Sequence, residues 1–368
     1  MPPQASGYVK SRLRSLHGAL STGRGAPRQA ETKPQPTAQP SVASYEQLPT
    51  DGRKRVVVVG LSMVGWKFID KLVNLDRDSK KYEIVTFSEE PHVAYNRVGL
   101  TQLFEHENAE ELHMAPPTWY EEAGVRVLLG HKAVRIDRDK RQVLSDNGAV
   151  VAYDELVLST GSEPFVPPIP GADREGVSTY RDIKDVHSIV AQSKTCKSGA
   201  VIGGGLLGLE SAKALYDLGV SDITIVEGAP RLMVRQLDEQ GAKLLQKKVS
   251  ELNIKTIVGG MTDEFYGDET GALAGMKLKD GTDIPAQMII VCTGVKPRDE
   301  LARECGLEVG ERGGIVVDDR LQTADPHIYA IGEVACHRGM CYGLVAPGNV
   351  MADNLAANLT GGSELFIK

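Results

Sequence analysis

The chain contains the same local pattern twice: a hydrophobic strand, a glycine-rich turn, a helix and a second strand that ends in an acidic residue. The first copy begins at Arg55 with RVVVVG, and the second begins at Ala200 with AVIGGG. Runs of β-branched residues are typical of strands that are buried on both faces of a parallel sheet. A chain of 368 residues is long enough to give each copy its own hydrophobic core. The repeat therefore predicts an α/β fold with two Rossmann-like dinucleotide-binding domains.

The second copy has the more regular glycine motif, in which Gly203, Gly205 and Gly208 form GxGxxG between strand and helix. The first glycine makes the tight turn, the second lets the backbone approach a pyrophosphate, and the third lets the helix pack on the strand. Glu227 ends the next strand, 227 − 203 = 24 residues later, where its carboxylate can bind ribose hydroxyls and would repel a 2′-phosphate. We therefore predict that this copy binds NAD(H). Arg231 lies close by in the sequence and leaves NADP(H) open, since its guanidinium could reach a phosphate.

The first copy departs from the motif at one position. Gly60 and Gly65 are present, but Ser62 stands where the middle glycine belongs and adds a side chain where a pyrophosphate would approach. Glu89 and Glu90 follow the second strand at the ribose-binding position, so this copy is still expected to bind a nucleotide. The alternation of the strand does not decide which of the two glutamates faces the ribose.

Three further segments favour a flavoprotein over a dehydrogenase with a single cofactor. LSTGSEP (158–164) and VCTGVKP (291–297) are each a hydrophobic strand that ends in Thr-Gly and is followed by a proline. Each would close one nucleotide-binding domain and lead the chain into the other. IYAIGE (328–333) is predicted to be a strand that ends in a glycine and an acid. The helix expected from about Pro347 would present its N-terminus to an anion or an electron-rich ring.

With these motifs the chain resembles the two-dinucleotide-domain flavoprotein reductases, which include ferredoxin, rubredoxin and NADH-linked nitrite reductases. The resemblance covers residues 55–361. Within this family the chain is most similar to the N-terminal part of the large subunit of assimilatory NAD(P)H nitrite reductase. The segments that carry this similarity are EEPHVAYNRVGL (89–100), GGGLLGLESAKAL (203–215), TGVKPRDELARECGL (293–307), RGGIVVDD (312–319) and YGLVAPG (342–348).

The resemblance implies that an NAD-binding domain, residues 186–294, is inserted into an FAD-binding domain made of residues 51–185 and 295–368. It also implies that NADH gives a hydride to FAD and that the reduced flavin passes electrons to an acceptor. Glu210 is placed near the nicotinamide, with a solvated or helix-packing acid as the alternative. The residues assigned to FAD are Gly60, Ser62, Gly65, Glu89, Glu90, Arg97, Thr160, Gly161, Gly332 and Glu333. Those assigned to NAD are Gly203, Gly205, Gly208, Glu227 and Gly294.

Two departures separate the chain from other branches of the family. Gln102 stands where ferredoxin reductases usually carry a lysine near the flavin, which favours the nitrite reductase branch. The helix after the first glycine motif has no cysteine, so the sequence lacks the redox-active cysteine pair of the glutathione-reductase type.

The five cysteines, at positions 196, 292, 305, 336 and 341, lack the CxxC spacing of a zinc or thioredoxin-like site. Cys336 and Cys341 could cooperate, although unpaired, non-catalytic thiols are the favoured interpretation. The cysteine sets that hold siroheme and iron–sulfur clusters are missing and no metal site is predicted, so the chain alone is not expected to reduce nitrite. We expect either a fragment whose acceptor module lies in further sequence or a free-standing diaphorase that serves another chain.

Two other interpretations stay open. One is a ferredoxin reductase, NADH oxidase or apoptosis-inducing-factor-like reductase, and the other is a non-catalytic dinucleotide-binding regulatory protein, which the serine at position 62 would favour. The formal net charge of −7, with acids and bases interspersed, gives no basic face for nucleic acid. No apolar run approaches the roughly 20 residues that cross a membrane, so no membrane association is predicted.

Residues 1–50 are rich in Pro, Ser, Ala, Gly and Gln without hydrophobic periodicity, and we predict a disordered leader. The segment before Tyr45 holds six basic residues against one acid, Glu31, which suits an organellar transit peptide. The predicted localisation is cytoplasmic, or mitochondrial or plastid if the leader is a transit peptide.

Overall fold

A computed structural model of the protein describes residues 46–106 and 108–367. Most of the predicted leader, residues 1–45, lies outside the described residues. The described strands, in chain order, are β1 (Glu46–Gln47), β2 (Lys54–Val59), β3 (Tyr82–Ser88), β4 (Val125–Leu129), β5 (Ala133–Asp137), β6 (Gln142–Ser145), β7 (Ala149–Ala152), β8 (Glu155–Leu158), β9 (Ser162–Pro164), β10 (Val177–Thr179), β11 (Ser198–Ile202), β12 (Asp222–Glu227), β13 (Ile254–Val258), β14 (Thr262–Gly267), β15 (Leu273–Leu278), β16 (Asp283–Pro285), β17 (Met288–Val291), β18 (Val295–Pro297), β19 (Ile315–Val317), β20 (Ile328–Ala330), β21 (Ala335–His337) and β22 (Met340–Cys341). The helices are α1 (Met63–Asp76), α2 (Pro117–Glu122), α3 (Ile183–Ser193), α4 (Leu206–Asp217), α5 (Glu239–Glu251), α6 (Glu300–Glu304) and α7 (Val345–Leu359). The described residues also form 3₁₀ segments at Arg97–Phe104, Ala109–Leu112 and Gly332–Val334.

The first parallel sheet has the strand order β20-β8-β2-β3-β4. Its central strand, β2, carries the valine run that suggested a doubly covered strand, and residues 56–58 are fully buried. Helices α1 and α7 pack against this sheet, so Phe68 and Met351 lie in the same hydrophobic core as the valines.

The second parallel sheet has the order β10-β17-β11-β12-β13. Its strands separate two cores: Val201 belongs to one and Ala200 to the other, because successive side chains of a strand point to opposite faces. All its strands lie between β8 and β20, which pair with each other in the first sheet through Leu156 and Ile328. The second sheet is therefore inserted into the chain of the first, and the predicted fold class is confirmed.

Strand β10 differs from the predicted division of the chain. It lies before the boundary placed at residue 185, yet Val177 pairs with Ile289 of β17 in the second sheet. Helix α3 follows β10 and buries Val186 and Ile189 in the core on one face of that sheet. The bounds 51–185, 186–294 and 295–368 stay a prediction, and strand pairing favours moving the first boundary to before β10.

The chain crosses between the two sheets along β9 and β18, which pair with each other in an antiparallel arrangement. The hydroxyl of Thr160 donates to the carbonyl of Arg298 at 2.7 Å, and that of Thr293 donates to the carbonyl of Phe165 at 2.5 Å. Each threonine of the two Thr-Gly motifs thus binds the segment that follows the other motif. Hydrogen bonds thus link the two segments in which the chain passes between the sheets, as expected where one domain is inserted into another.

The prediction of disorder to residue 50 is wrong for residues 46–50. Strand β1 pairs with β7, and the amides of Glu46 and Leu48 donate to the carbonyls of Gly148 and Val150, each at 2.8 Å. Leu48 also packs against the first core. The polar composition of residues 1–50 gave no indication that β1 pairs with β7, because an edge strand of two residues needs little apolar surface of its own.

The IYAIGE segment forms a shorter strand than predicted. Strand β20 ends at Ala330, and the chain turns into the 3₁₀ segment Gly332–Val334. Gly332 has a φ of +80°, which a residue with a side chain rarely adopts. The turn directs the following acid, Glu333, away from the strand.

Candidate functional site

A cavity of about 320 Å³, here called the first cavity, opens at the carboxyl edge of the first parallel sheet. The segments that line it include residues 62–64, 89–90, 159–164 and 331–333. Parallel α/β sheets bind ligands at this edge. The predicted flavin residues that line the cavity are Ser62, Glu89, Glu90, Arg97, Thr160, Gly161, Gly332 and Glu333.

The other two predicted flavin residues, Gly60 and Gly65, shape the turn behind the cavity. Gly60 has a φ of +106°, and a Cβ on it would lie 2.3 Å from the carbonyl oxygen of Ser159. A Cβ on Gly65 would lie 2.2 Å from the carbonyl oxygen of Gly60. Any side chain at either position would therefore push α1 away from the sheet.

The N-terminus of α1 opens on the first cavity, since Ser62, Met63 and Val64 all line it. Ser62 is the N-cap residue, but its side chain makes no capping hydrogen bond, and the first turn holds no acidic residue. The first amides of a helix bind phosphate readily because they lack intrahelical partners. These residues fit the pyrophosphate of a dinucleotide, and the serine hydroxyl at the missing glycine is free to face it.

The two candidate ribose ligands differ in their partners. Glu90 forms an ion pair with Arg97 and accepts the Tyr95 hydroxyl at 2.7 Å. Burial raises the pKa of Tyr95, so the phenol remains a neutral donor. Glu89 is paired with Arg298 and its side chain is 46% exposed. The carboxylate of Glu89 is therefore the one with room for a ribose.

Glu333 is held by two donors on the cavity wall. Arg181 donates to the Oε2 atom of Glu333 at 2.7 Å, and the Ser162 hydroxyl donates to the same oxygen at 2.5 Å. Arg181 also donates to Ser162 at 3.0 Å. This network joins the segment after β8, the approach to α3 and the turn after β20.

Sequence reasoning missed several charged residues of the first cavity. Lys132, Arg181 and Arg298 all line it. Arg181 precedes Asp182, the N-cap of α3, whose side chain accepts the amide of Asp185. Arg181 could have been identified in the sequence as a basic residue beside a helix N-cap, in the segment where the chain passes between domains. Lys132 and Arg298 lie in loops that show no comparable pattern.

The second glycine motif forms a tight turn between β11 and α4. Gly203 has a φ of +112°, and a Cβ there would lie 2.3 Å from the carbonyl oxygen of Cys292. A Cβ on Gly208 would lie only 1.8 Å from the carbonyl oxygen of Gly203. Gly205, the N-cap of α4, differs because a Cβ there would meet no atom within 4 Å. The middle glycine thus leaves an open cradle at a helix N-terminus, which fits a second dinucleotide.

Glu227 lies at the end of β12, where it was predicted to face a ribose. Its carboxylate accepts the amide of Gly204 at 2.5 Å and that of Ala229 at 2.6 Å. The same acid therefore supports the glycine turn. Arg231 donates to the carbonyls of Leu237 and Val234, at 3.2 and 3.3 Å, which gives its guanidinium partners other than a phosphate.

Gly294 follows β17 with a φ of +115°, and a Cβ there would meet nothing within 4 Å. Its carbonyl accepts the amide of Phe165 at 2.8 Å. Glu210 lies on α4 near Tyr180, and burial raises the pKa of the glutamate. Tyr180 shares a hydrogen bond with Thr101 at 3.0 Å. These contacts place Glu210 where α4 faces the 3₁₀ segment that carries Arg97.

Within residues 46–106 and 108–367, no helix is long and apolar enough to span a membrane. In the same part of the chain, no three His, Cys, Asp or Glu side chains form a group that could hold a metal ion.

Two parallel sheets, each with a glycine turn, an open helix N-terminus and an acid on the adjacent strand, define a protein with two dinucleotide-binding sites. The chain belongs to the pyridine nucleotide-disulphide oxidoreductase family, whose model matches residues 54–352. Members of this family are oxidoreductases that bind FAD and NAD(H). The predicted family, enzyme class and cofactors are thereby confirmed.

The chain is similar to several relatives and solved structures. The chain is 41% identical over 312 residues to the nitrite reductase (NADH) large subunit of Escherichia coli K12, a match that covers 85% of this chain and 37% of that protein. It is 36% identical over 310 residues to the assimilatory nitrate reductase electron transfer subunit of Bacillus subtilis 168, covering 84% and 39%. The chain thus spans less than two fifths of the length of these relatives. A solved ferredoxin reductase from Rhodopseudomonas palustris superposes with a TM-score of 0.80 at 27% identity, covering 86% of this chain and 78% of that one.

Proposed function

We propose that this chain is an NADH-dependent FAD oxidoreductase module, a diaphorase, and that it is the reductase part of an assimilatory nitrite reductase. The first cavity carries the proposal, because residues 62, 160–161 and 332–333 converge there from distant parts of the sequence. The similarity to nitrite reductases supports the choice of reaction.

The residues of the first cavity would bind and orient the flavin. The amides of the first turn of α1 would hold the pyrophosphate, and Glu89 would accept a ribose hydroxyl. Glu333 is fixed by Arg181 and Ser162, so its carboxylate has little freedom to move when a ligand binds. FAD itself supplies the chemistry, since it accepts a hydride and releases electrons singly.

The second glycine turn would bind NADH. The open position at Gly205 admits the pyrophosphate, and Glu227 binds the adenosine ribose while disfavouring a 2′-phosphate. Gly294 and Glu210 would lie toward the nicotinamide. Burial raises the pKa of Glu210, because desolvation disfavours the ionised carboxylate.

The electron acceptor would be an iron–sulfur or siroheme module, either in further sequence of the same polypeptide or in a separate chain. The names of the relatives support onward transfer of electrons to an acceptor, since one is a nitrite reductase subunit and another an electron transfer subunit of nitrate reductase. We also propose that residues 1–45 act as a transit peptide, which a fusion of this segment to a fluorescent protein would test.

The test uses the purified full chain. We expect equimolar, non-covalently bound FAD, NADH-dependent reduction of ferricyanide, and no ammonium from NADH and nitrite. Free FAD at the same concentration without protein is the control. A folded, colourless protein that cannot be reconstituted with FAD would refute the flavin site. NADH-dependent ammonium from the homogeneous chain would refute the assignment of nitrite reduction to another module.

Two alternative functions give different results in the same assay. A ferredoxin reductase, favoured by the solved structure with a TM-score of 0.80, would reduce cytochrome c rapidly only when a ferredoxin is added. A regulatory dinucleotide-binding protein would bind FAD or NADH but fail to reduce ferricyanide. Reduction of ferricyanide therefore distinguishes an enzyme from a regulatory dinucleotide-binding protein. Dependence on added ferredoxin distinguishes a ferredoxin reductase from the proposed diaphorase module.

A further inference from the structure

Cys336 and Cys341 lie directly opposite each other in the hairpin formed by β21 and β22. A two-residue turn closes the hairpin, and its residues Arg338 and Gly339 have φ angles of 51° and 76°, as in a type I′ turn. Opposed Cα atoms of antiparallel strands lie about 4.5 to 5.5 Å apart. A disulfide spans Cα separations of about 4.4 to 6.8 Å. The register alone therefore places this pair at disulfide distance.

The two sulfur atoms share one tightly packed site. The Sγ atom of Cys341 donates to the carbonyl of Gly313 at 3.5 Å, and burial together with the charge of the neighbouring Cys336 raises the pKa of the Cys341 thiol. A Cβ on Gly314 would lie 2.4 Å from the Sγ atom of Cys341 and 3.2 Å from the Cβ of Cys336. The absence of a side chain at position 314 thus leaves room for the Sγ atom of Cys341 beside Cys336.

The other three cysteines lie outside this hairpin. Among the described residues, their sulfur atoms contact oxygen atoms: the Gln287 carbonyl for Cys196 at 3.7 Å, the Ser211 hydroxyl for Cys292 at 3.4 Å, and the Ala302 carbonyl for Cys305 at 3.5 Å. Among the described residues, the hairpin pair is the one in which strand register places two cysteines at disulfide distance.

We propose that Cys336 and Cys341 form a redox modification site, which a low-molecular-weight disulfide of the glutathione type oxidises to an intrachain disulfide. The partly exposed Cys341, as a thiolate, attacks one sulfur of the small disulfide and forms a mixed disulfide. One small thiolate leaves and takes up the proton that Cys341 has lost. Cys336 then attacks the Sγ atom of Cys341, the mixed disulfide breaks, and the second small thiol leaves with the proton of Cys336. Two protein thiols lose two electrons, and one small disulfide becomes two thiols.

The reaction is expected to be slow at neutral pH. Burial, together with the charges of Cys336 and Asp299, raises the pKa of Cys341 to about 12. Only the thiolate attacks a disulfide, so a raised pKa leaves little of the reactive form. Equilibration with glutathione therefore has to run for hours rather than minutes.

The hairpin connects two walls of the first cavity. It follows the 3₁₀ segment that holds Glu333 and leads to Val345 at the start of α7, and both residues line the cavity. A disulfide across the hairpin would restrain these walls relative to each other. We expect slower release of the flavin from the oxidised protein, a consequence that rests on the proposed function, whereas the disulfide does not.

The test equilibrates the full chain in glutathione buffers of increasing oxidation, blocks free thiols and counts them after denaturation. The count is expected to fall from five to 5 − 2 = 3. Trypsin cleaves after Arg338, so the disulfide would hold two peptides together until reduction, and mass spectrometry would identify them. C305S is the matched control and should keep the linked peptides, whereas C336S should lose them and hold a mixed disulfide on Cys341.

Five free thiols in folded protein at the most oxidising ratio would overturn the proposal, as would a link between other cysteines. The peptide analysis uses the natural chain, so it stands even if C336S fails to fold. The rate of FAD release is measured separately on the reduced and oxidised forms. Equal rates would refute the restraint on the cavity, while the linked peptides would still establish the disulfide.

Discussion

Gly205→Ala and Gly208→Ala are expected to have different effects, although each adds one methyl group to the same glycine motif. The new Cβ at position 208 would lie 1.8 Å from the carbonyl oxygen of Gly203. An ordinary contact between carbon and a carbonyl oxygen is about 3.3 Å or more. Helix α4 would therefore have to move by roughly 1.5 Å, and overpacking of this kind costs about 3 kcal/mol or more.

Gly205→Ala should leave the fold nearly unchanged. Its φ of −83° suits alanine, and no atom lies within 4 Å of the added Cβ. The loss of a favourable N-cap residue and the gain from a less flexible unfolded chain nearly cancel, so the free energy of unfolding should change by less than about 1 kcal/mol. The methyl group would, however, fill the cradle, and the Kd for NADH should rise about tenfold, or by about 1.4 kcal/mol.

Urea unfolding followed by circular dichroism measures the first effect, and titration of protein fluorescence with NADH measures the second. Wild-type affinity in a stable Gly205→Ala protein would refute the placement of NADH at the N-terminus of α4. Wild-type stability of Gly208→Ala would refute the packing argument, because no side chain next to position 208 could move to relieve a clash with backbone.

Further variants test single residues of the two sites. Glu227→Ala should lower the ratio of kcat/KM for NADH to kcat/KM for NADPH by about tenfold. Glu227→Gln is the control, because it keeps an oxygen acceptor. An unchanged ratio in Glu227→Ala would contradict the role of the acid. In flavin fluorescence titrations, Glu89→Gln should weaken FAD binding by about tenfold, whereas Ser62→Gly should change it by less than about threefold. The reverse order would contradict the assignment of Glu89 as the ribose ligand. Asp319→Asn should lower the melting temperature at pH 7, and the difference should vanish as the pH falls from 4 toward 2. Arg338 and His337 hold the pKa of Asp319 at about 2, below its usual 3.8, so the carboxylate stabilises the fold only while ionised. A difference that persists at pH 2 would contradict this reasoning.

The parts of the fold that follow from local pattern were predicted well. The strand predicted to begin at Arg55 is β2, which begins one residue earlier, because its run of valines between turn residues is a clear pattern. Helices α1 and α4 follow the two glycine turns, as the repeated pattern predicted. Strand β10 was missed, since its three half-buried residues carry no periodicity and depend on pairing with β17.

The candidate site shows the same division. The cofactor motifs could be identified because glycines and strand-end acids occupy fixed positions in them. Lys132 and Arg298 could not, because loops distant in the sequence bring them to the cavity. The pair Cys336 and Cys341 could be predicted only in part. Their spacing of five is visible in the sequence, but only the register of the hairpin shows that the two residues face each other.

The insertion of one sheet into the other sets the order in which the protein can fold during synthesis. Strand β8 ends at Leu158, but its partner β20 begins at Ile328, after 328 − 158 = 170 further positions. The ribosome needs roughly ten to thirty seconds for that length. Meanwhile the second sheet, which lies within residues 177–291, has all of its strands available. The domain that begins first is therefore expected to finish last, with one edge of β8 exposed to chaperones or to aggregation. Because Glu333 and Val345 follow β20, the flavin is expected to enter only after the chain has been synthesised past residue 345.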